Sequence, residues 1–245
     1  MNRRCFMFGT IAVAAFPNMG FGQSIAQDIA SRVAEVQAEI VARRAGKRPI
    51  TASWVASRLG DGLTERERRG AAFLLVQSIP YKLTAWSGDA DSLFVLGRGD
   101  CRHKAGGLLR LLKAWKMEAR PIQVPFDWAD LPIPADVMKP LKETRGVHDS
   151  VEVKIEGQYV LVDATWDPAL GGAGFPVLNG WDGISPTLPI TPKADVVIRP
   201  GDLKAGTNVF AYLGIKPERE RTLQFNRSFN AWSDDVREMV RSSKR

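Results

Sequence analysis

The chain has 245 residues, of which 44% are hydrophobic and 25% charged, and its formal net charge is +7. This composition is ordinary for a soluble globular protein, and the length suffices for one sizeable core. The positive charge is spread along the chain apart from a basic last stretch, so solubility explains it better than attraction to an anionic surface. No nucleic-acid-binding motif is present.

The first 22 residues have the pattern of an export signal. Arg3 and Arg4 form a charged start, and an apolar stretch runs from Cys5 to Phe16. Gly22 then offers a small residue for cleavage before Gln23. The two arginines fit a twin-arginine or a general secretory route, so we expect a periplasmic or secreted protein. The apolar stretch is too short for a permanent anchor, and the alternative is an uncleaved helix that tethers the protein to a membrane.

Cleavage at this point leaves one domain, residues 23–245, with Cys101 as its only cysteine. Since Cys5 leaves with the signal, no intramolecular disulfide is possible. A lone thiol in an oxidising compartment is a liability, and its presence indicates a chemical use.

Helical periodicity and end signals predict four helices. Thr64 and Glu67 form a capping box, and Asp100 can cap the helix that starts at Cys101. The aromatic and aliphatic residues of the tail recur at helical spacing, which indicates a terminal amphipathic helix that docks on the body. The predicted helices are residues 24–45, about 65–79, 101–117 and 225–240.

Strands are predicted only in the second half of the chain. Residues 121–140 hold five prolines and are expected to be irregular. Alternating valines predict two strands, Val147–Ile155 and Gln158–Asp163. Residues 168–202 are rich in Gly and Pro and are expected to hold, at most, short strands.

Cys101 stands at the first turn of the third predicted helix. Unpaired backbone N–H groups and the helix dipole favour a thiolate there and lower the pKa of the thiol. The same amides could stabilise an oxyanion. Cys101 shares a face with Leu108 and Leu112, and Gly107 allows another element to approach closely. The alternative is a buried cysteine that acts only as a small hydrophobe.

Of the two histidines in the chain, only one suits a base for Cys101. His103 points roughly 200° away from Cys101 on a helix, so we expect it at the surface or beside the site. His148 begins the first strand of the hairpin. It lies on the face with Ser150 and Glu152, opposite the alternating valines.

The hairpin register brings His148 and Asp163 together. If Glu156 and Gly157 form a two-residue turn, Ser150 faces Asp163. His148 and Asp163 are then diagonal neighbours on one face, with about 7–8 Å between Cα atoms. A three-residue turn would place them on opposite faces. A carboxylate beside an imidazole fixes its tautomer and stabilises its charged form.

The segments around these residues resemble the transglutaminase-like family. Gly97-Arg98-Gly99-Asp100-Cys101 with its leucine-rich helix resembles the nucleophile segment, and His148 with the segment Val162–Pro168 resembles the base and acid segments. The resemblance covers about residues 70–170. It implies an α+β, papain-like fold with an N-terminal helical part, a nucleophile helix packed on an antiparallel sheet, and a C-terminal helix.

The resemblance also implies roles for three residues: Cys101 as nucleophile, His148 as base and Asp163 as the acid that orients it. The family often has an aromatic residue shortly after the His, whereas Asp149 and Ser150 follow here. Two aromatic residues are candidates for the family's oxyanion-stabilising side chain, each with a place in the core as the alternative. They are Tyr81 and Trp86.

The function implied is acyl transfer by a cysteine nucleophile, on peptide or glutamine carboxamide bonds, through an acyl-thioester. Water as the acceptor gives hydrolysis, and an amine gives transamidation. The same three residues would serve either reaction, so they do not distinguish the two. The alternative is a non-catalytic binding or assembly module in the cell envelope. The expected partner is a peptide or protein substrate. No cofactor or metal is expected, since Cys101 and His103 alone are too few ligands for zinc.

Overall fold

The computed structural model describes residues 23–84 and 92–243, so the predicted export signal at residues 1–22 lies outside it. The described part of the chain is a mixed α+β fold with helices and one three-stranded antiparallel sheet. The α-helices are α1 (Gln23–Ala45), α2 (Ala52–Gly60), α3 (Glu65–Ser78), α4 (Ser92–Leu96), α5 (Cys101–Ala114), α6 (Ala135–Met138), α7 (Val209–Tyr212) and α8 (Arg219–Ser242). The strands are β1 (Ala119–Asp127), β2 (Arg145–Ile155) and β3 (Gln158–Val162).

Capping residues set the starts of α2 and α3. The predicted capping box is confirmed, because Thr64 Oγ1 accepts from the N–H of Glu67 and the Glu67 carboxylate accepts from the N–H of Thr64 at 2.8 Å. α2 was not predicted from the sequence. Its start is fixed in the same way, since Thr51 Oγ1 accepts from the N–H of Trp54 at 3.2 Å.

α5 carries Cys101 at its first position, as predicted, with Asp100 as its N-cap. The helix ends at Ala114, three residues before the predicted end. Lys116 explains the earlier end, because its φ of 60° is left-handed and cannot continue a right-handed helix. Gly107 lies so close to α4 that an added Cβ would stand 2.6 Å from Leu93 Cδ2, which confirms the expected close approach.

The predicted hairpin register is confirmed. β2 pairs antiparallel with β3, and Val151 lies opposite Val162. Glu156 and Gly157 form the two-residue turn with φ values of 50° and 85°, as a turn that matches the twist of a hairpin requires. β3 ends at Val162, so Asp163 is the first residue beyond the strand.

The expectation of an irregular segment over residues 121–140 was wrong for its first part, which forms the edge strand β1. Gln123 exchanges backbone hydrogen bonds with Ile198 of the loop outside the sheet, so its N–H points away from β2. Pro121 and Pro125 share that orientation, so their missing N–H groups remove no hydrogen bond between β1 and β2. Ile198 forms only an isolated bridge, and the rest of residues 168–202 contains no strand.

Two hydrophobic cores flank the sheet. The aliphatic core packs α1, α2, α3 and α5 against one face of β2 and contains Leu108, Val151 and Val153. The aromatic core packs α8 against the other face. α8 confirms the predicted terminal helix, and its Phe225 and Phe229 are buried. The aromatic core contains Tyr81, Phe126, Trp128, Trp166, Phe175, Phe225 and Phe229.

Within the described ranges no helix is long and apolar enough to cross a membrane.

Candidate active site

The start of α5, where Cys101 lies, is built around the carboxylate of Asp100. Thr84 Oγ1 donates to Asp100 Oδ2 at 2.6 Å, and the ring of His103 donates to Oδ1 at 2.7 Å. Arg102 adds a further bond to Oδ2 at 2.6 Å. These bonds hold the pKa of Asp100 well below its usual range in spite of burial, so the group stays ionised at the start of α5. Cys101, which follows Asp100 as the first residue of α5, is half-buried.

His148 and Asp163 meet as the register predicts. His148 Nε2 donates to Asp163 Oδ2 at 2.6 Å, and the two side chains are 1% and 4% exposed. Asp163 Oδ1 accepts from the N–H of Thr165 at 3.0 Å, and Thr187 Oγ1 accepts from the N–H of Asp163 at 2.7 Å. Both carboxylate oxygens are therefore occupied, and the imidazole is held at one orientation.

Cys101 completes the line from the other side of the imidazole. The thiol and the His148 ring both lie at the wall of one cavity, and each shifts the pKa of the other. Because Nε2 is taken by Asp163, Nδ1 is the ring nitrogen left for the sulfur. The structure thus brings together all three residues singled out in the sequence, with His148 between Cys101 and Asp163.

The pKa shifts favour a charged His148–Asp163 pair. Burial lowers the pKa of His148, but the charge of Asp163, the hydrogen bond between them and the Cys101 sulfur together raise it to about 10. Burial raises the pKa of Asp163, yet the charge of His148 and the bonds from His148 and Thr165 hold it below its ordinary value. At neutral pH the imidazole therefore carries its proton.

The thiol itself departs from the prediction. Burial raises the pKa of Cys101, and this outweighs the hydrogen bond and charge of His148, which lower it. The predicted net lowering of this pKa is therefore wrong, because burial disfavours the thiolate and the charges of Asp149 and Asp100 disfavour it further. One proton must leave the Cys101–His148 pair before the sulfur can attack a carbonyl.

The first-turn amides of α5 are mostly unavailable as oxyanion donors. The N–H groups of Arg102 and His103 donate to Asp100 Oδ1, and that of Lys104 donates to Asp100 O. Within the described ranges, the N–H of Cys101 has no acceptor. The sequence predicts that the first-turn amides of α5 could stabilise an oxyanion, and among the described residues only the N–H of Cys101 remains available for this.

Tyr81 lies beside the nucleophile as well as in the core. Its side chain is 2% exposed and packs edge-on against Trp166 with 4.6 Å between ring centroids. Burial raises the pKa of Tyr81, and the charges of Cys101 and Asp100 raise it further. The hydroxyl therefore stays protonated, and Tyr81 and Cys101 both line one cavity. Trp86, the other aromatic candidate, lies outside the described residues.

His103 is fully buried and binds Asp100, so the expectation that it lies beside the site is confirmed and the surface alternative is wrong. Its Nε2 has no hydrogen-bond partner within the described ranges. His103 therefore supports Asp100, the N-cap of α5, rather than His148.

A cavity of about 180 Å³ opens in front of Cys101 and His148. Cys101 and His148 line it together with Asp149, whose Oδ1 accepts from Gln123 Nε2 at 3.0 Å. Burial raises the pKa of Asp149, and the bond from Gln123 and the charge of His148 counteract that rise. Sequence reasoning noted Asp149 only as a departure from the family pattern, and it missed Gln123 because a single amide in a proline-rich segment gives no signal.

The rest of the lining comes from segments that are distant in the sequence. β1, the loop after it, α7 and the second turn of α8 contribute aromatic side chains. No periodicity connects these segments, so the sequence could not have assigned them to the site. The main apolar residues are Phe126, Trp128, Leu141, Ile190, Phe210 and Phe225.

No protein-family model matches this chain, and no curated protein matches it. The described part of the chain has no group of three or more His, Cys, Asp or Glu side chains that could hold a metal ion. The chemistry that this arrangement supports is nucleophilic attack by sulfur, with an imidazole to carry the proton and a carboxylate to orient it.

Proposed function

We propose that the protein is a cysteine-dependent acyl transferase or peptidase with a transglutaminase-like, papain-like core. Cys101 is the nucleophile, His148 the acid and base, and Asp163 the residue that orients His148. The observation that carries the proposal is the hydrogen bond from His148 Nε2 to Asp163 Oδ2 at 2.6 Å, with the thiol of Cys101 beside the same imidazole at the wall of a cavity. Nucleophile, base and orienting group within hydrogen-bond reach are the geometric signature of covalent acyl transfer.

In the proposed reaction the thiolate of Cys101 attacks the carbon of a peptide or glutamine carboxamide. The carbonyl oxygen takes the negative charge, with the N–H of Cys101 and the hydroxyl of Tyr81 as candidate donors. The C–N bond then breaks, and His148 gives its proton to the leaving amine or ammonia. The acyl group remains on the sulfur as a thioester.

Water or a second amine then attacks the thioester. His148 accepts the proton of this acceptor, the C–S bond breaks, and the thiolate returns. Water yields a carboxylic acid and an amine yields a new amide, so the two outcomes share every step up to the thioester.

A direct test uses the purified protein and a glutamine-containing peptide, with and without an excess of a primary amine. Mass spectrometry distinguishes glutamate formation from amine incorporation, and ammonia release gives the rate of the first step. We expect one or both products with the wild type and none with Cys101→Ala. Product formation by a folded Cys101→Ala protein would refute the proposal.

The second candidate is a non-catalytic binding or assembly module in the cell envelope, which the raised pKa of the buried thiol favours. Alkylation separates the two. An activated Cys101 reacts rapidly with iodoacetamide near neutral pH, whereas an inert buried thiol does not. Slow alkylation together with no turnover on any amide would favour the binding module.

We also propose export with cleavage after Gly22. The supporting pattern is the arginine pair followed by a short apolar stretch. Mass spectrometry of the protein from cells should find Gln23 at the N-terminus. A cytoplasmic chain that retains Met1 would contradict export, and continued export after Arg3 and Arg4 are both changed to Lys would select the general secretory route.

A further inference from the structure

The cavity in front of Cys101 has an apolar wall that is fixed before any substrate binds. Trp128 lies 5.0 Å from Phe126 and 5.1 Å from Phe225, both between ring centroids and both edge-on. Phe126 is also edge-on to the imidazole of His148, with 6.3 Å between centroids. The wall therefore extends to the reacting groups, and a side chain bound against it would stand next to the carbonyl under attack.

Most charged residues at the same cavity are paired with each other, whereas Asp149 accepts from the neutral amide of Gln123. Glu143 accepts two hydrogen bonds from Arg145, at 2.9 and 2.7 Å, and Arg145 also donates to Gly214 O at 3.3 Å. Arg102 is likewise bound to the Asp100 carboxylate. Because the charges of the Glu143–Arg145 and Asp100–Arg102 pairs balance each other, these two pairs do not require a charged group on the substrate.

We propose that the acyl donor carries a large apolar or aromatic side chain beside its reacting carbonyl, and that the wall formed by Phe126, Trp128, Phe210 and Phe225 binds it. This inference rests on the proposed acyl-transfer function. The volume is adequate, since a cavity of about 150 Å³ lined by apolar side chains is enough to hold benzene. Removal of the side chain from water provides the selectivity.

The test uses peptides in which one neighbour of the reacting glutamine is Phe, Leu, Ser or Glu, on its N-terminal side in one series and its C-terminal side in the other. In at least one series we expect kcat/KM for Phe or Leu to exceed that for Ser and Glu by about tenfold or more. Phe210→Ala should reduce this preference. Tyr212→Ala is the matched control, since Tyr212 lies on the same short helix, is 63% exposed and does not line the cavity.

Equal kcat/KM values for the four peptides in both series would overturn the proposal, as would an unchanged preference in Phe210→Ala. If the wild type turns over no peptide, the proposed function fails while the inference is still decided by binding. Calorimetry with the Cys101→Ser protein should then show tighter binding of the Phe peptide than of the Ser peptide, and equal affinities would refute it.

A second inference rests on a different observation, a lysine sealed in the interior. Lys104 is 1% exposed, one turn after Cys101 on α5. Its Nζ donates to Gln77 O at 3.1 Å and to Ala164 O at 3.3 Å. Gln77 lies in the last turn of α3, and Ala164 directly follows Asp163. Lys104 thus ties the nucleophile helix to the segment that carries the orienting acid.

The tie does not depend on the charge of the lysine. Burial lowers the pKa of Lys104 to about 7, while the charges of Asp167 and Asp163 raise it and that of Arg237 lowers it. A neutral amine has two N–H groups and an ammonium has three, so both forms can serve the two carbonyls.

We propose that Lys104 is a positioning residue that fixes Asp163, and through it His148, relative to Cys101. This too rests on the proposed function, so its test includes a measurement that needs no turnover. The pKa of His148 can be followed by NMR in the wild type, in Lys104→Met and in Lys113→Met. Lys113 is the matched control, because it is exposed on the same helix.

Lys104→Met should lower the pKa of His148, since a displaced Asp163 stabilises the imidazolium less. Lys104 is already neutral where His148 titrates, near pH 10, so the drop reports geometry rather than lost charge. We expect kcat to fall about tenfold or more with little change in KM, and no effect of Lys113→Met. An unchanged His148 pKa would overturn the proposal. Failure of both Lys104→Met and Lys104→Gln to fold would also overturn it, because the residue would then serve stability alone.

Discussion

The aliphatic and aromatic cores are built in different ways, and the candidate site lies where they meet. The aliphatic core uses evenly spaced residues on helices, such as Val33, Val36 and Ile40 of α1. The aromatic core instead gathers single residues from separate segments, among them Tyr81 and Trp166. Cys101 starts a helix of the first core and the imidazole of His148 faces the second, so the reacting pair forms only when both cores are in place.

One buried ion pair joins the aromatic core to the chain near the site. Arg237 of α8 donates to Asp167 at 2.8 Å and to Tyr81 O at 2.7 Å, and Asp167 Oδ2 accepts from the N–H of Tyr81 at 2.9 Å. α8 is therefore fixed to the segment that follows α3 and to the segment that follows Asp163. Variants that affect one core and not the other test whether the site depends on both.

Cys101→Ala should have the largest effect of all. Activity should fall to background, because no other residue can form the thioester, while the thermal unfolding midpoint should stay close to that of the wild type since the site is only half-buried. Turnover and circular dichroism on the same sample would check this. Retained turnover in the folded variant would remove Cys101 from the mechanism, and Cys101→Ser should behave like Cys101→Ala.

Asp163→Asn should lower the rate by about 10² to 10⁴, because a misoriented imidazole no longer serves both proton transfers. The variant also loses the carboxylate that raises the pKa of His148 to about 10. The alkaline limb of the pH–rate profile should therefore move to lower pH. An unshifted limb would show that Asp163 does not control the proton on His148.

The same substitution predicts how stability depends on pH. The raised His148 pKa stabilises the fold fully below the unfolded value of about 6.5, and this contribution is lost as pH rises through about 10. The lowered Asp163 pKa stabilises the fold above its ordinary value of 3.8, and this is lost as pH falls through the folded pKa. Compared with the wild type, Asp163→Asn should therefore lose the most free energy of unfolding between these two pH limits. Urea titrations at pH 6 and above about pH 10 would measure the difference, and an equal deficit at both would contradict it.

The contrast between the cores also explains what the sequence could predict. Helix periodicity and caps placed α1, α3 and α5, and the two-residue turn at Glu156 placed His148 beside Asp163. These signals are local, and each is read from a few neighbouring residues. The strand β1 could not be predicted from its sequence, because proline breaks a central strand and is tolerated only at an edge.

The cavity wall could not be predicted at all. Phe126, Trp128 and Phe225 come together only through the packing of α8 on the sheet, and no spacing in the sequence records that contact. Lys104 was missed for a related reason. A lysine on a helix is normally exposed, and nothing near it in the sequence shows that Gln77 and Ala164 would enclose it.

Arg237→Ala should break the link between α8 and the rest of the chain. Removal of the guanidinium leaves the buried Asp167 carboxylate without its cationic partner, so the free energy of unfolding should fall by about 3–5 kcal/mol. Arg241→Ala is the matched control on the same helix, since its ion pair with Glu238 is exposed and should contribute about 1 kcal/mol or less. Chemical denaturation of both variants would show the difference. Equal losses of unfolding free energy would mean that the buried Arg237–Asp167 pair stabilises the fold no more than an exposed pair does.

Thr64→Ala should have the smallest effect and should stay within the aliphatic core. The variant removes the hydroxyl that accepts from the N–H of Glu67 at the start of α3, which should cost about 1 kcal/mol. Because that end of α3 is remote from the cavity lining, kcat/KM should not change while the unfolding midpoint falls slightly. Glu67→Gln, which keeps a side-chain acceptor for Thr64, should cost less. Thr64→Ala could instead lose more activity than its lower stability explains. The aliphatic core would then transmit small changes directly to Cys101, and the two cores would have to be treated as one unit.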